Sequence, residues 1–171
     1  MGLVDEALAV WEATRNGVIS EIDLVSEDQL DYRPEPQARS IRDIGRHVVE
    51  HGIAFTNELL APECNFGNLF KPAVMDPVRA ALPPGRTKAD LLALLRVTGE
   101  SVRERIRERG DKLMTDTQAS RLVPSGRMTR LSGLWFVIGH ESHHRGQLTA
   151  YLRGAGVVPA LTRQLMAQQN R

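Results

Sequence analysis

Four stretches of this chain repeat their apolar residues every three or four positions and none alternates with a period of two, so the sequence is committed to packing helices. The first runs from about Val4 to Val25 and carries Leu8, Trp11, Ile19 and Ile22 on one stripe. The second starts at Ser40, a helix N-cap candidate with Asp43 three residues on, and runs to about Leu60 before Pro62. The third opens at Thr87, again with an acid, Asp90, three residues later, and ends near Gly110. The fourth spans about Leu131 to Arg153 and stops at Gly154. Between them lie a loop from Ser26 to Pro36 and a crossover from Pro62 to Arg86, the latter broken by Pro72, Pro77, Pro83 and Pro84. A further irregular stretch, Asp111 to Arg130, holds two turn signals that suit a short hairpin. Val157-Val158-Pro159 and a polar tail follow the last helix. The expected architecture is all-α, a four-helix bundle with long crossover connections forming a single domain over residues 1–171.

A chain of 171 residues can bury a core without a structural metal or disulfides, so any metal would serve function before folding. Its net charge is +1, with basic residues scattered among acidic ones and no basic stripe or tail, which argues against nucleic acid as a partner. Cys64 is the only cysteine, and a chain that cannot form an internal disulfide suits a reducing compartment. Asp5 and Glu6 stand where a secretory signal would be basic, and no stretch approaches the ~20 apolar residues of a membrane span. A soluble, cytoplasmic protein with no membrane partner is expected.

Four of the five histidines form two pairs at a spacing of four: His47 with His51 on the second helix, His140 with His144 on the fourth. Helical residues four apart stack on one face, where two imidazoles can grip one ion. Stepping the fourth helix at about 100° per residue groups His140, Glu141 and His144 with Leu134, Val137, Leu148, Tyr151 and Leu152. The same construction groups His47 and His51 with Ile41, Ile44, Val48, Phe55 and Leu59. Both pairs therefore face the core. One core histidine is ordinarily satisfied by a hydrogen bond, but several buried together each need a partner, at about 1–3 kcal/mol for every group left without one. A shared ion satisfies them at once. His143 falls outside the stripe and reads as a residue that orients a ligand or lies on the surface; Glu141 reads as a carboxylate behind a ligand or a member of a salt bridge.

Three metal motifs compete for this segment. His140-Glu141-Ser142-His143-His144 satisfies H-E-x-x-H, but that zinc-protease pattern needs a downstream ligand, and no Asp, Glu or His follows His144. Glu141-Ser142-His143-His144 satisfies the E-x-x-H of di-iron bundles, but no second copy exists in the chain. A mononuclear site remains, its third ligand coming from the second helix, where His47 and His51 are the available histidines.

The string from Gly139 through His144-Arg145-Gly146-Gln147 to Arg153, then Gly156-Val157-Val158-Pro159, resembles the DinB-like family of metal-binding four-helix-bundle proteins. So do Tyr32-Arg33-Pro34 and the run from Ala38 to His51. The family is related to YfiT-like metal-dependent hydrolases and to mycothiol- or bacillithiol-dependent enzymes. The resemblance implies a His₃ site made by His47, His140 and His144, one divalent ion such as zinc or nickel, a small-molecule substrate and a homodimer; it leaves the role of His51 open. An apolar strip of Val49, Ile53 and Leu60 could serve either that dimer or the bundle itself. Three uses follow. The first is a transferase whose nucleophile is a low-molecular-weight thiol held at the metal; the second is a hydrolase using metal-bound water; the third is a metal-binding or stress-associated protein without turnover. Proton carriers near the stripe are few, Glu58, Glu141 and Tyr151, and Cys64 reads as an incidental loop residue, so the thiol transferase is preferred.

Overall fold

The computed structural model describes residues 2–120 and 123–169. Arg121 and Leu122, which fall in the expected hairpin stretch, and the ends of the expected domain, Met1, Asn170 and Arg171, lie outside the described residues. Four long helices carry the fold: α1 (Leu3–Asp23), α2 (Ile41–Leu60), α4 (Lys88–Arg107) and α6 (Arg130–Gly154). Three shorter ones join them, α3 (Pro72–Ala81), α5 (Gly110–Met114) and α7 (Ala160–Gln169), with a two-stranded hairpin of β1 (Thr117–Ala119) and β2 (Arg127–Thr129). The strands are antiparallel, with Gln118 opposite Met128. The fold is the expected all-α four-helix bundle.

The helix starts follow from local chemistry. The Ser40 hydroxyl accepts from the Asp43 amide at 3.1 Å while the Asp43 carboxylate accepts from the Ser40 amide at 2.9 Å, satisfying two donors that a helix start would otherwise leave open. Thr87 and Asp90 do the same for α4. Distant residues close other ends. Asp111 accepts from the amides of Leu3 and Val4 at the start of α1, and Arg130 donates to the carbonyls of Leu59, Ala61 and Pro62 where α2 stops.

Three helices, α3, α5 and α7, occupy stretches expected to be crossover, irregular turns and tail. α3 lies inside the crossover, its first residue being Pro72, where a missing amide hydrogen costs nothing. It lays Met75 and Val78 on Ala54 and Ile53 of α2. α7 is begun by a carboxylate from the far end of the chain: the fully buried Glu21 accepts from the amides of Ala160 at 2.7 Å and Leu161 at 3.0 Å.

α1 packs on α4 and α6, and α2 packs on the same two, so α1 and α2 stand diagonally across the bundle. The core has two apolar halves. One gathers Leu8, Trp11, Phe55, Leu59, Val102, Ile106 and Leu134; the other gathers Ile22, Ile41, Ile44, Leu91, Leu95, Leu148 and Leu152. A polar layer divides them. Arg15 of α1 donates from Nε to Glu141 Oε2 at 2.9 Å and from Nη2 to Oε1 at 2.6 Å, both side chains at most 4% exposed. Trp11 Nε1 donates to the same carboxylate at 2.9 Å, and Arg15 Nη1 donates to the Leu95 carbonyl at 3.1 Å. α2 and α4 contribute room: a Cβ on Gly52 would stand 2.9 Å from Arg15 Nη2, and Gly99 faces the Arg15 and Trp11 side chains.

The Val49, Ile53 and Leu60 strip is used within the chain. Val49 is fully buried, Ile53 packs on the second core half and on the α3 cluster, and Leu60 packs against the first half.

Breaking the Arg15–Glu141 pair leaves a buried carboxylate without its cation, a change that costs about 3–5 kcal/mol. Arg15→Met should therefore lower the urea midpoint strongly, and the double variant Arg15→Met/Glu141→Leu should recover part of the loss. An unchanged midpoint in the single variant would contradict the role given to this pair.

Candidate metal centre

The i, i+4 spacing turns His47 and His51 of α2 toward His140 and His144 of α6. Ring centroids are 4.0 Å apart for His47 and His51, 4.5 Å for His140 and His144, 5.1 Å for His47 and His140, and 4.6 Å for His47 and His144. His144 is buried and the other three are half-buried. One ring nitrogen from each of His47, His51 and His140 falls within 4.8 Å of the others. His144 Nε2 is 3.1 Å from His140 Nε2. All four histidines therefore border one small volume, including His51, whose ring lies 4.9 Å from that of His140.

Gln147, one turn past His144, fixes that ring. Its Oε1 accepts from His144 Nδ1 at 2.6 Å, which leaves Nε2 of the neutral ring with its lone pair directed at His140. Two nitrogens each bound to zinc at its usual distance stand about 3.3 Å apart across a tetrahedral angle. The 3.1 Å separation of His140 and His144 is close to that, so the donor set fits a divalent ion.

The electrostatics suit ligands. Burial, followed by the charge of His51 and Arg39, pushes His47 down to about 2. Burial, then His144 and Arg39, takes His51 to about 4, and burial, then His144 and His51, takes His140 to about 3. His144 is lowered as well, first by burial, against the Gln147 contact and Glu141, which act upward. Near neutral pH the rings are unprotonated, the form that binds metal.

The remaining candidates are placed elsewhere. Glu141 is the salt-bridge member, its carboxylate taken by Arg15 and Trp11. His143 is exposed, with its ring 5.1 Å from that of His144. Glu58 accepts from the Asn65 amide, and Tyr151 packs edge-on against Tyr32. Cys64 is buried, and burial pushes its thiol up to about 11, so it is not a thiolate at neutral pH. Sequence reasoning missed Gln147 as a support of His144, although its position three residues on was a usable signal. It also missed Phe70, which is 60% exposed with its ring 5.9 Å from that of His51. A crossover residue outside any periodic segment gives no such signal.

The lowered histidines have a signed consequence. Unfolded chains take up protons below about pH 6.5, whereas the folded rings resist them until far lower, so acid favours the unfolded state. The melting temperature of metal-free protein should hold above about pH 6.5 and fall as pH drops toward about 4. Replacing His51 and His140 together with Leu should flatten that dependence; an equally steep loss in the double variant would assign it to other groups.

The model of the DinB family matches residues 1–170. No match is found among curated proteins. Among solved structures, a DinB-like protein from Bacillus subtilis is 18% identical, with 88% of this chain and 92% of that chain covered at a TM-score of 0.66. A DinB-like protein from Bacillus cereus is 17% identical, with 91% and 94% covered at 0.68. YfiT from Bacillus subtilis, described as a probable metal-dependent hydrolase with an unusual four-helix bundle topology, is 19% identical, with 90% and 88% covered at 0.64. At these identities the likeness is one of fold. Among the described residues no helix is long and apolar enough to cross a membrane.

Proposed function

The chain belongs to the DinB family, and on that premise we propose a metal-dependent enzyme in which His47, His140 and His144 hold one divalent ion, zinc or nickel, and a low-molecular-weight thiol is the nucleophile. The observation that supports a metal is the convergence of four neutral imidazoles from α2 and α6 on one volume. The observation that favours the thiol is the absence, among the described residues, of a free carboxylate beside those rings, since Glu141 is committed to Arg15. A bound ion would supply Lewis acidity and a preference for an anionic ligand at its open position. His144 is held ready by Gln147, and burial keeps every ring unprotonated. A hydrolase that activates water is the second reading, favoured by the description of YfiT. Binding without turnover is the third.

A cytoplasmic site of action, a small-molecule substrate and no nucleic-acid partner complete the proposal. A homodimer would use faces other than the Val49 strip, such as that of Trp135 and Phe136, which are 46% and 37% exposed on α6.

Elemental analysis of untagged protein should find about one divalent ion per chain. His140→Ala/His144→Ala should abolish it, and His144→Ala should lose far more than His51→Ala. The reverse order would give the third position to His51. Chelation should leave the helical circular dichroism intact and lower only the melting temperature, since the two core halves hold the fold without the ion.

Metal-loaded protein given an electrophile should react only when a thiol such as mycothiol or bacillithiol is added. Cys64→Ser should leave that activity in place, and His47→Ala should remove it. Turnover without thiol would install the hydrolase reading, and no turnover under either condition would favour binding alone.

A further inference from the structure

Where α6 meets α1 and α7, a cleft of about 470 Å³ is lined by Thr14, Ser142, Arg145, Thr149, Arg153 and Leu161. That volume falls within the range of about 300–1,000 Å³ typical of small-ligand sites. No histidine and no residue of α2 borders it among the described residues, so it is separate from the ring cluster. Two guanidiniums face this cleft, and among the described residues neither is paired with a carboxylate. Arg145 is laid across α1 at the buried Gly17, where a Cβ would stand 2.4 Å from its Nε and 2.5 Å from its Cζ. Only a glycine lets the half-buried guanidinium lie this close to the helix. Its Nε is buried there without a hydrogen-bond partner. Arg153 gives Thr162 Oγ1 one hydrogen from Nη2 at 3.2 Å and keeps its other donors.

The hydroxyls are of two kinds. Thr14 donates to the Val10 carbonyl and Thr149 to the Arg145 carbonyl, each at 2.9 Å, so their hydrogens are spent inside their own helices. Ser142 is exposed, and its hydroxyl is unengaged among the described residues. Glu21 reaches Thr149 Oγ1 at 3.4 Å, but it is fully buried and its charge is met by the amides of Ala160 and Leu161. The cleft thus holds cationic donors and no free anion. A purely structural Arg145, its stem packed on α1, would account for the contact with Gly17 but not for a second arginine and a free serine around the same ligand-sized space.

We propose that this cleft binds the phosphate of a small soluble phosphate monoester, with Arg145 gripping the phosphate oxygens and Ser142 and Arg153 adding donors. Gly146 also lines the cleft, and with nothing within 4 Å of where its Cβ would be, it leaves room for the ligand's body. A phosphate monoester carries a charge of about −1.5 to −2 near pH 7, which two guanidiniums match better than they match a single carboxylate. The site is independent of the metal-centre reading.

Isothermal titration calorimetry with phenyl phosphate on chelated protein tests this, because no ion then remains to draw the phosphate to the histidines. Phenyl phosphate should bind about tenfold more tightly than phenylacetate. Arg145→Met, which keeps an apolar stem on Gly17 without the charge, should lower the affinity by about tenfold or more, and Arg145→Lys should keep part of it. Arg153→Gln, at an exposed position, should weaken binding severalfold and decides the matter if Arg145→Met fails to fold. Undiminished affinity in Arg145→Met or Arg153→Gln, equal binding of phenylacetate, or no binding to the chelated protein would overturn the proposal. Binding to vesicles containing phosphatidic acid without binding to phenyl phosphate would give the cleft to a lipid surface and overturn the soluble ligand.

Discussion

The Arg15–Glu141 contact is the interaction around which the bundle is arranged. An ion pair this deeply buried is worth keeping only if its remaining donors and acceptors are met, because desolvating two charges costs several kcal/mol apiece. Each long helix helps to meet that condition. α1 gives the guanidinium and the Trp11 N–H, α6 gives the carboxylate, α4 gives the Leu95 carbonyl and the opening at Gly99, and α2 gives the opening at Gly52. A slip of α1, α4 or α6 by a turn would leave a charge or a donor stranded, and a slip of α2 would take the Gly52 opening away from Arg15. Apolar packing alone would tolerate such a slip far better, so the polar layer sets the register in which the four helices meet.

That register is also what assembles the histidines. His51 adjoins Gly52, and His140 and His144 flank Glu141, so the residues that locate the ion pair also locate the rings. The sequence of α6 thus serves two faces at once: Glu141 turns toward α1 while its histidine neighbours turn toward α2. The H-E-x-x-H string here thus lacks the free glutamate that the protease motif requires. The glutamate that would act as a base in that motif is neutralised by Arg15 and spent on the fold.

Much of this was legible in the sequence. The four long helices were readable because each carries a sustained apolar stripe, and Ser40 with Asp43 and Thr87 with Asp90 mark two starts by purely local chemistry. The facing of both histidine pairs followed from the same periodicity. α3 was obscured because Pro72 and Pro77 read as breakers, although a proline in the first turn is compatible with helix. α7 was obscured for a different reason: the carboxylate that starts it lies 139 residues away, and no window along the chain contains both partners. The entry of His51 into the ring cluster and the commitment of Glu141 to Arg15 likewise depend on how helices far apart in sequence are set against one another.

The bond from Glu21 to α7 bears on the order in which the protein can be completed during synthesis. Glu21 belongs to α1, which is made before α6 and α7, but the amides that satisfy it belong to Ala160 and Leu161. Until those residues have been made, burying the carboxylate would strand a charge in the apolar half formed by Ile22, Leu148 and Leu152, so hydration holds that end of the bundle open. The opposite half, around Trp11, Phe55 and Leu134, has no such dependence and can close as soon as α6 emerges. The nascent bundle is thereby polarised, one end sealed early and the other kept wet until the start of α7 has been made.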